Sequence, residues 1–155
     1  MRDATLCFLI KKESSEICLG MKKRGFAEGK YNGIGGKLDA GETIEQAMIR
    51  ETQEEINVTP KTYDKVAELE FSFPENMSIN QRVHVYICTE WVGNPSETEE
   101  MRPAWFSYDE IPYSTMWPDD EYWLPLVLNG KKIKGAFELS LDDKILFHEI
   151  KEIKS

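Results

Sequence analysis

The stretch that decides the fold is Gly36–Val58, GKLDAGETIEQAMIRETQEEINV. Thr43 followed three residues later by Gln46 has the form of a capping box, and the spacing predicts a helix from about Thr43 to Ile56, with Pro60 as its stop. At the helical angle per residue, Glu51 and Glu55 fall within about 20° of the line joining Ile44 and Met48. Two carboxylates therefore sit on a stripe that otherwise reads as buried. An unpaired buried carboxylate is costly, so this face needs a compensating cation. Glu54, three residues after Glu51, can join the same cluster. Glu42 and Arg50, eight residues apart, read as a structural ion pair.

The plainer reading of ETQEE is a solvated acidic face. Tyr31–Gly36, YNGIGG, argues against it, because a glycine-rich turn lets backbone atoms come close to a ligand. A hard divalent cation prefers carboxylate, carbonyl and water oxygens, and the region offers all three. The chain has only His84 and His148, and its three cysteines are scattered, so zinc is disfavoured.

At 155 residues the chain reads as one domain, residues 1–155, with enough length for a substantial core. No apolar run is long enough to span a bilayer, and MRDATLCFLIKKESS reads as a strand rather than a signal peptide. Cys7, Cys18 and Cys88 form no paired motif and suggest reduced thiols in a cytoplasmic compartment, with a nuclear or mitochondrial fraction left open. A net charge of −9 opposes binding to a nucleic-acid polymer. A free nucleotide with a cation is the better partner, and a monomer is the default at this length.

Taken in order, Ala4–Lys11 reads as a buried strand and Ile17–Met21 as its hairpin partner. Lys22, Lys23, Arg24, Lys30 and Lys37 then concentrate positive charge before the acidic helix, as a partial phosphate cradle. Val66–Phe73 and Arg82–Glu90 alternate like strands, with 74–81 a loop between them. AWFS, 104–107, is a short strand. Pro125 is best tolerated in a first helical turn, which starts a second helix at 121–123. AFELSLDDKILFHEI reads as a hairpin turning at Asp142 and Asp143. The sum is an α/β (α+β) domain, a mixed sheet sandwiched between helices.

The decisive stretch resembles the Nudix box, G-x5-E-x7-R-E-U-x-E-E-x-G-U with U aliphatic, of hydrolases acting on nucleoside diphosphates linked to another group. Gly36, Glu42, Arg50, Glu51, Glu54 and Glu55 match it. Asn57 stands at the late glycine, where a left-handed helix end accepts Asn as second choice. Thr52 replaces an aliphatic residue without removing a ligand. The segments 20–38 and 100–135, and with them nearly the whole chain, are similar to the MutT-like oxidised-purine nucleoside triphosphatases within that family, given one length adjustment in the 74–81 loop.

That resemblance implies Mg²⁺, or Mn²⁺, held by Glu51, Glu54, Glu55, the Gly35 carbonyl and Glu100, with Glu54 or Glu55 as the base. It implies that Lys22, Gly35, Gly36 and Lys37 lie along the substrate, that Asn32 bonds the purine edge and that Trp117 stacks on the ring. Asp119 and Asp120 would face the Watson–Crick side. Phe26, Phe71, Phe73, Met101 and Trp123 would line the pocket. Cys7 would sit beside the base where the family has Thr, and Gln81 with its loop changes the rim. Close carboxylates push one pKa upward, so one can donate while the other accepts. The expected reaction is hydrolysis of 8-oxo-dGTP and 2-oxo-dATP to monophosphate and pyrophosphate. The alternatives are a diphosphatase for methylated purine nucleotides (O6-methyl-dGTP, N6-methyl-dATP) or unmodified ones, and a non-catalytic nucleotide sensor.

Overall fold

The computed structural model describes residues 1–153. Its strands are β1 (Arg2–Lys11), β2 (Glu16–Lys22), β3 (Tyr31–Asn32), β4 (Thr59–Ser72), β5 (Gln81–Val92), β6 (Met101–Ser107), β7 (Lys132–Leu139) and β8 (Ile145–Ile153). They join in one mixed sheet of order β3-β2-β1-β5-β4-β7-β8, with β6 on the other edge of β2. The β1–β5 and β4–β7 pairs are parallel, and the rest are antiparallel.

Strand alternation sends β1 side chains into two cores. Cys7 and Leu9 meet Met48 and Ile56 of helix α1 (Ile44–Ile56), with Val58, Tyr86 and Cys88. Ala4, Phe8 and Ile10 face the opposite side, with Leu69, Val85, Phe137 and the Trp123, Leu124 and Val127 face of helix α2 (Asp120–Leu128). The two helices thus cover opposite faces of the sheet. Among the described residues no helix is long and apolar enough to cross a membrane.

The sheet splits where the site forms. β1 and β2 pair only from Leu9–Cys18 to Lys11–Glu16, then diverge. The YNGIGGK segment fills the wedge. Tyr31 and Asn32 pair with Met21 and Gly20 of β2, while Ile34 and Lys37 bridge to Cys7 and Ala4 of β1.

Several element boundaries differ from the sequence reading. α1 carries the full Thr43–Gln46 capping box and ends at Ile56 as expected, but its stop is Asn57, left-handed at φ 61°, whose amide N–H donates to the Gln53 carbonyl. Pro60 is therefore not the stop and already belongs to β4. That strand begins seven residues before Val66, because irregular register between Pro60 and Ala67 hides its alternation. β6 begins at Met101 rather than Ala104, where the polar run before it ends. α2 begins at Asp120, which puts Pro125 sixth in the helix instead of in its first turn. The ladder bond lost at Pro125 is outweighed by burial of Trp123, Leu124 and Val127.

Candidate active site

The acidic helix is organised by one guanidinium. Arg50 Nε and Nη2 donate to the two oxygens of Glu42 at 2.7 and 2.9 Å, a bidentate pair. Nη1 reaches Glu51 at 2.9 Å and Glu54 at 3.1 Å, and Nη2 reaches the Lys37 carbonyl at 3.1 Å. Glu42 is held below the ordinary carboxylate range, chiefly by Arg50. The buried stripe of α1 runs through Met48, Thr52 and Ile56, so Glu51 and Glu55 lie at its edge rather than its centre. The Thr52 hydroxyl donates to the Met48 carbonyl at 2.8 Å, which satisfies the polar group at an aliphatic position.

Glu55 is the perturbed group. Burial first, then the neighbouring Glu51, push it up to about 8, against Lys22 and the Gly35 amide. Its Oε2 is buried with no hydrogen-bond partner. Gly36 packs on Glu51 so closely that a Cβ there would stand 2.8 Å from the carboxylate, and a Cβ on Gly35 would overlap the Thr5 carbonyl. The glycines therefore let the main chain lie against the glutamates. This donor set, hard oxygens with one orphaned carboxylate oxygen, fits a divalent cation of the Mg²⁺ class. Among the described residues, however, no three His, Cys, Asp or Glu side chains already converge as a ready-made ion site. Arg50 draws Glu51 and Glu54 aside, and Arg24 holds Glu100 at 2.5 Å.

A cavity of about 210 Å³ opens from the glycine turn on the α2 side of the sheet. Its walls include Phe26, Asn32, Gly35, Gly36, Lys22, Phe71, Phe73, Gln81, Met101, Trp117, Asp119 and Asp120, all singled out in the sequence. The two aspartates are almost fully buried. Asp119 Oδ2 accepts from the Trp123 indole at 2.8 Å, and Asp120 Oδ2 accepts from the Trp117 amide at 3.1 Å. Burial pushes Asp119 up to about 6, and burial together with the Asp119 charge pushes Asp120 well above the usual range. Two adjacent carboxyls that hold protons differently can present a donor beside an acceptor. The Trp117 ring packs against Phe26 at 5.5 Å between centroids, with the Lys30 ammonium 5.2 Å from its centroid.

Three sequence-predicted residues are not brought to this cavity. Cys7 is fully buried in the α1-side core, interacting with Cys88 and Thr52, because its position in β1 faces the helix. Trp123 is also fully buried and acts behind Asp119 as a hydrogen-bond donor. Lys37 points to solvent, and only its carbonyl joins the cluster, through Arg50. The expected cradle of five cations is likewise dispersed. Lys23 pairs with Glu97, Arg24 with Glu99 and Glu100, and Lys30 with Asp143.

Thr5, not singled out in the sequence, lines the cavity with Ala4, Leu6 and Leu139, and Lys30, expected in the phosphate cradle, lines it as well. The Thr5 hydroxyl is buried with no hydrogen-bond partner. Thr5 and Cys7 both lie where β1 has already left β2, and only Thr5, farther along the wedge, lines the cavity, which residue pattern does not reveal. Lys30 was visible as a cation but not as a neighbour of Trp117.

Comparison with known proteins agrees with this geometry. The NUDIX domain model matches residues 1–127. The mouse oxidized purine nucleoside triphosphate hydrolase is 44% identical over 146 residues, covering 92% of this chain and 91% of that protein. The zebrafish protein of the same description is 42% identical over 149 residues, covering 96% and 95%. A MutT protein from Bacillus halodurans shares the fold at a TM-score of 0.85, with 22% identity over 97% of this chain and 98% of that one. The glutamate helix, the glycine turn and the family match together establish that this chain belongs to the NUDIX family.

Proposed function

We propose that the protein hydrolyses oxidised purine nucleoside triphosphates, 8-oxo-dGTP and 2-oxo-dATP, to the monophosphate and pyrophosphate, and so clears them from the nucleotide pool. The observation that carries the substrate class is the buried pair Asp119 and Asp120 beside Trp117 in one cavity. Burial raises both carboxyls, Asp119 to about 6 and Asp120 well above the usual range, so the pair can offer both a proton and a lone pair to a base edge. An oxidised purine edge bears donors and acceptors that such a pair matches in more than one tautomer. Asn32 completes the polar edge, Phe71 and Phe73 hold the apolar part of the ring, and Trp117 stacks on it. Relatives at 42–44% identity carry descriptions of this activity.

Glu51, Glu54, Glu55, the Gly35 carbonyl and Glu100 would hold Mg²⁺, which neutralises phosphate charge when bound. Glu55 is the proton acceptor for the attacking water, because it is the shielded carboxylate whose Oε2 lacks a partner. Glu54 is tied to Arg50 and mostly exposed, and so serves charge rather than proton transfer. Lys22 faces the substrate from the cavity wall. The length of the chain favours a monomer of one domain, and its three free cysteines favour the cytoplasm, with a nuclear or mitochondrial fraction left open.

The bond cleaved is tested by phosphorus NMR of the products from 8-oxo-dGTP. Pyrophosphate with 8-oxo-dGMP is expected. Orthophosphate with the diphosphate would reject this reaction.

A further inference from the structure

Two arginines divide the acidic groups around the glycine turn. Arg50 is 24% exposed and committed to Glu42, Glu51, Glu54 and the Lys37 carbonyl, so it is fixed in place. Arg24 is different. It is 58% exposed and grips Glu100 through Nη2 at 2.5 Å and Nε at 3.1 Å, with Glu99 at 3.6 Å.

Glu100 ends a short arm, residues 97–100, whose backbone is anchored on two sides. The Thr98 hydroxyl donates to the Glu55 carbonyl at 2.8 Å. Lys23 holds the other side, its ammonium on Glu97 at 2.5 Å and on the Thr98 carbonyl at 2.8 Å, its amide on the Glu100 carbonyl at 3.0 Å. The arm is thus pinned beside Glu55 while the Glu100 carboxylate is left to an exposed partner. Lys22 lies close enough to act electrostatically on both Glu55 and Glu100.

We propose that Arg24 is a positioning residue that parks Glu100 away from the glutamate cluster, and that a divalent cation loads by taking Glu100 from Arg24. The proposal rests on the reading of Glu51, Glu54, Glu55 and Glu100 as a cation site. The Thr98 anchor on the Glu55 main chain keeps Glu100 near the cluster, and Arg24 neutralises its charge while no cation holds it. The pair is exposed and therefore weak, so a divalent cation can displace it. Arg50 cannot play this part, because releasing it would strip Glu42 and Glu51 together. The exchange makes Arg24 a determinant of the cation threshold, although it touches neither cation nor base.

Mn²⁺ alone is the probe, titrated into metal-free protein and followed by the EPR signal of the free ion. The proteins compared are the unaltered chain, Arg24→Ala, Glu100→Gln and the double variant. All the altered groups are solvent-facing, and urea midpoints verify folding. Arg24→Ala should tighten Mn²⁺ binding about two- to five-fold, the range for losing a competing surface pair. Glu100→Gln should weaken binding, and Arg24→Ala should have no further effect in that background. A gain that persists in the Glu100→Gln protein reflects bulk charge and overturns the exchange. So does an unchanged affinity in Arg24→Ala or in Glu100→Gln alone. An unaltered chain that binds no Mn²⁺ overturns the cation site itself, a failure seen without reference to Arg24.

Discussion

Asp119→Asn should stabilise the protein while damaging base selection, and the gain should depend on pH. Asp119 is 3% exposed, and its folded pKa is raised from 3.8 to about 6, mainly by burial. The folded state therefore holds the Asp119 proton more tightly than the unfolded chain does. The stability tied to that proton is complete below pH 3.8 and is lost as pH rises through about 6. Each pKa unit is worth about 1.4 kcal/mol, so the shift costs the folded state about 3 kcal/mol once the group is ionised. Asparagine removes that cost, and its carbonyl can still accept from the Trp123 indole, now 2.8 Å from Oδ2. The neighbouring Asp120 also loses a charge that raises its own pKa. The assay is urea unfolding followed by tryptophan fluorescence across pH 5–8. Roughly half of the full gain is expected at pH 5, and nearly all of it above pH 7. A gain that does not grow with pH, or a loss of stability at pH 8, would refute the assignment of Asp119 as a desolvated acid.

Gly36→Ala places a Cβ 2.8 Å from the Glu51 carboxylate, a flexible side-chain end. The fold should survive, judged by circular dichroism, while turnover falls by about 10²-fold, the scale for a displaced reactive group. Arg50→Lys keeps the charge but not the fork that holds Glu42 at 2.7 and 2.9 Å. It should lower unfolding free energy by about 1.5–3 kcal/mol, and an unchanged urea midpoint would contradict the structural role. Glu55→Gln should cut turnover by roughly 10²–10⁴-fold with base binding retained in a calorimetric titration. Loss of nucleotide binding instead would make Glu55 a structural group.

How much of this the sequence disclosed depended on the range of the interaction. The helix was legible because its signals are local: the Thr43 and Gln46 cap, and the Glu42–Arg50 pair one face apart. Asp119 and Asp120 were legible as a pair because adjacency alone couples their charges. Features set by distant chain were not. Asn57 was legible as a left-handed helix end, but that it alone stops the helix, with Pro60 already in a strand, was not. The early half of β4 was hidden by its bulges against β5. Cys7 and Thr5 share a strand and its alternation, and only Thr5, farther along the wedge between β1 and β2, meets the cavity. The five cations between Lys22 and Lys37 suggested a shared cradle, but Glu97, Glu99, Glu100 and Asp143 claim three of them from far along the chain.

The most direct test of the central claim is kcat/KM for 8-oxo-dGTP and for dGTP, measured side by side with Mg²⁺ and with EDTA. The glutamate helix predicts activity that vanishes in EDTA, and the Trp117, Asp119 and Asp120 cavity predicts a strong preference for the oxidised base. Equal rates on both nucleotides would contradict the reading of the cavity, and activity that survives EDTA would contradict the reading of the helix.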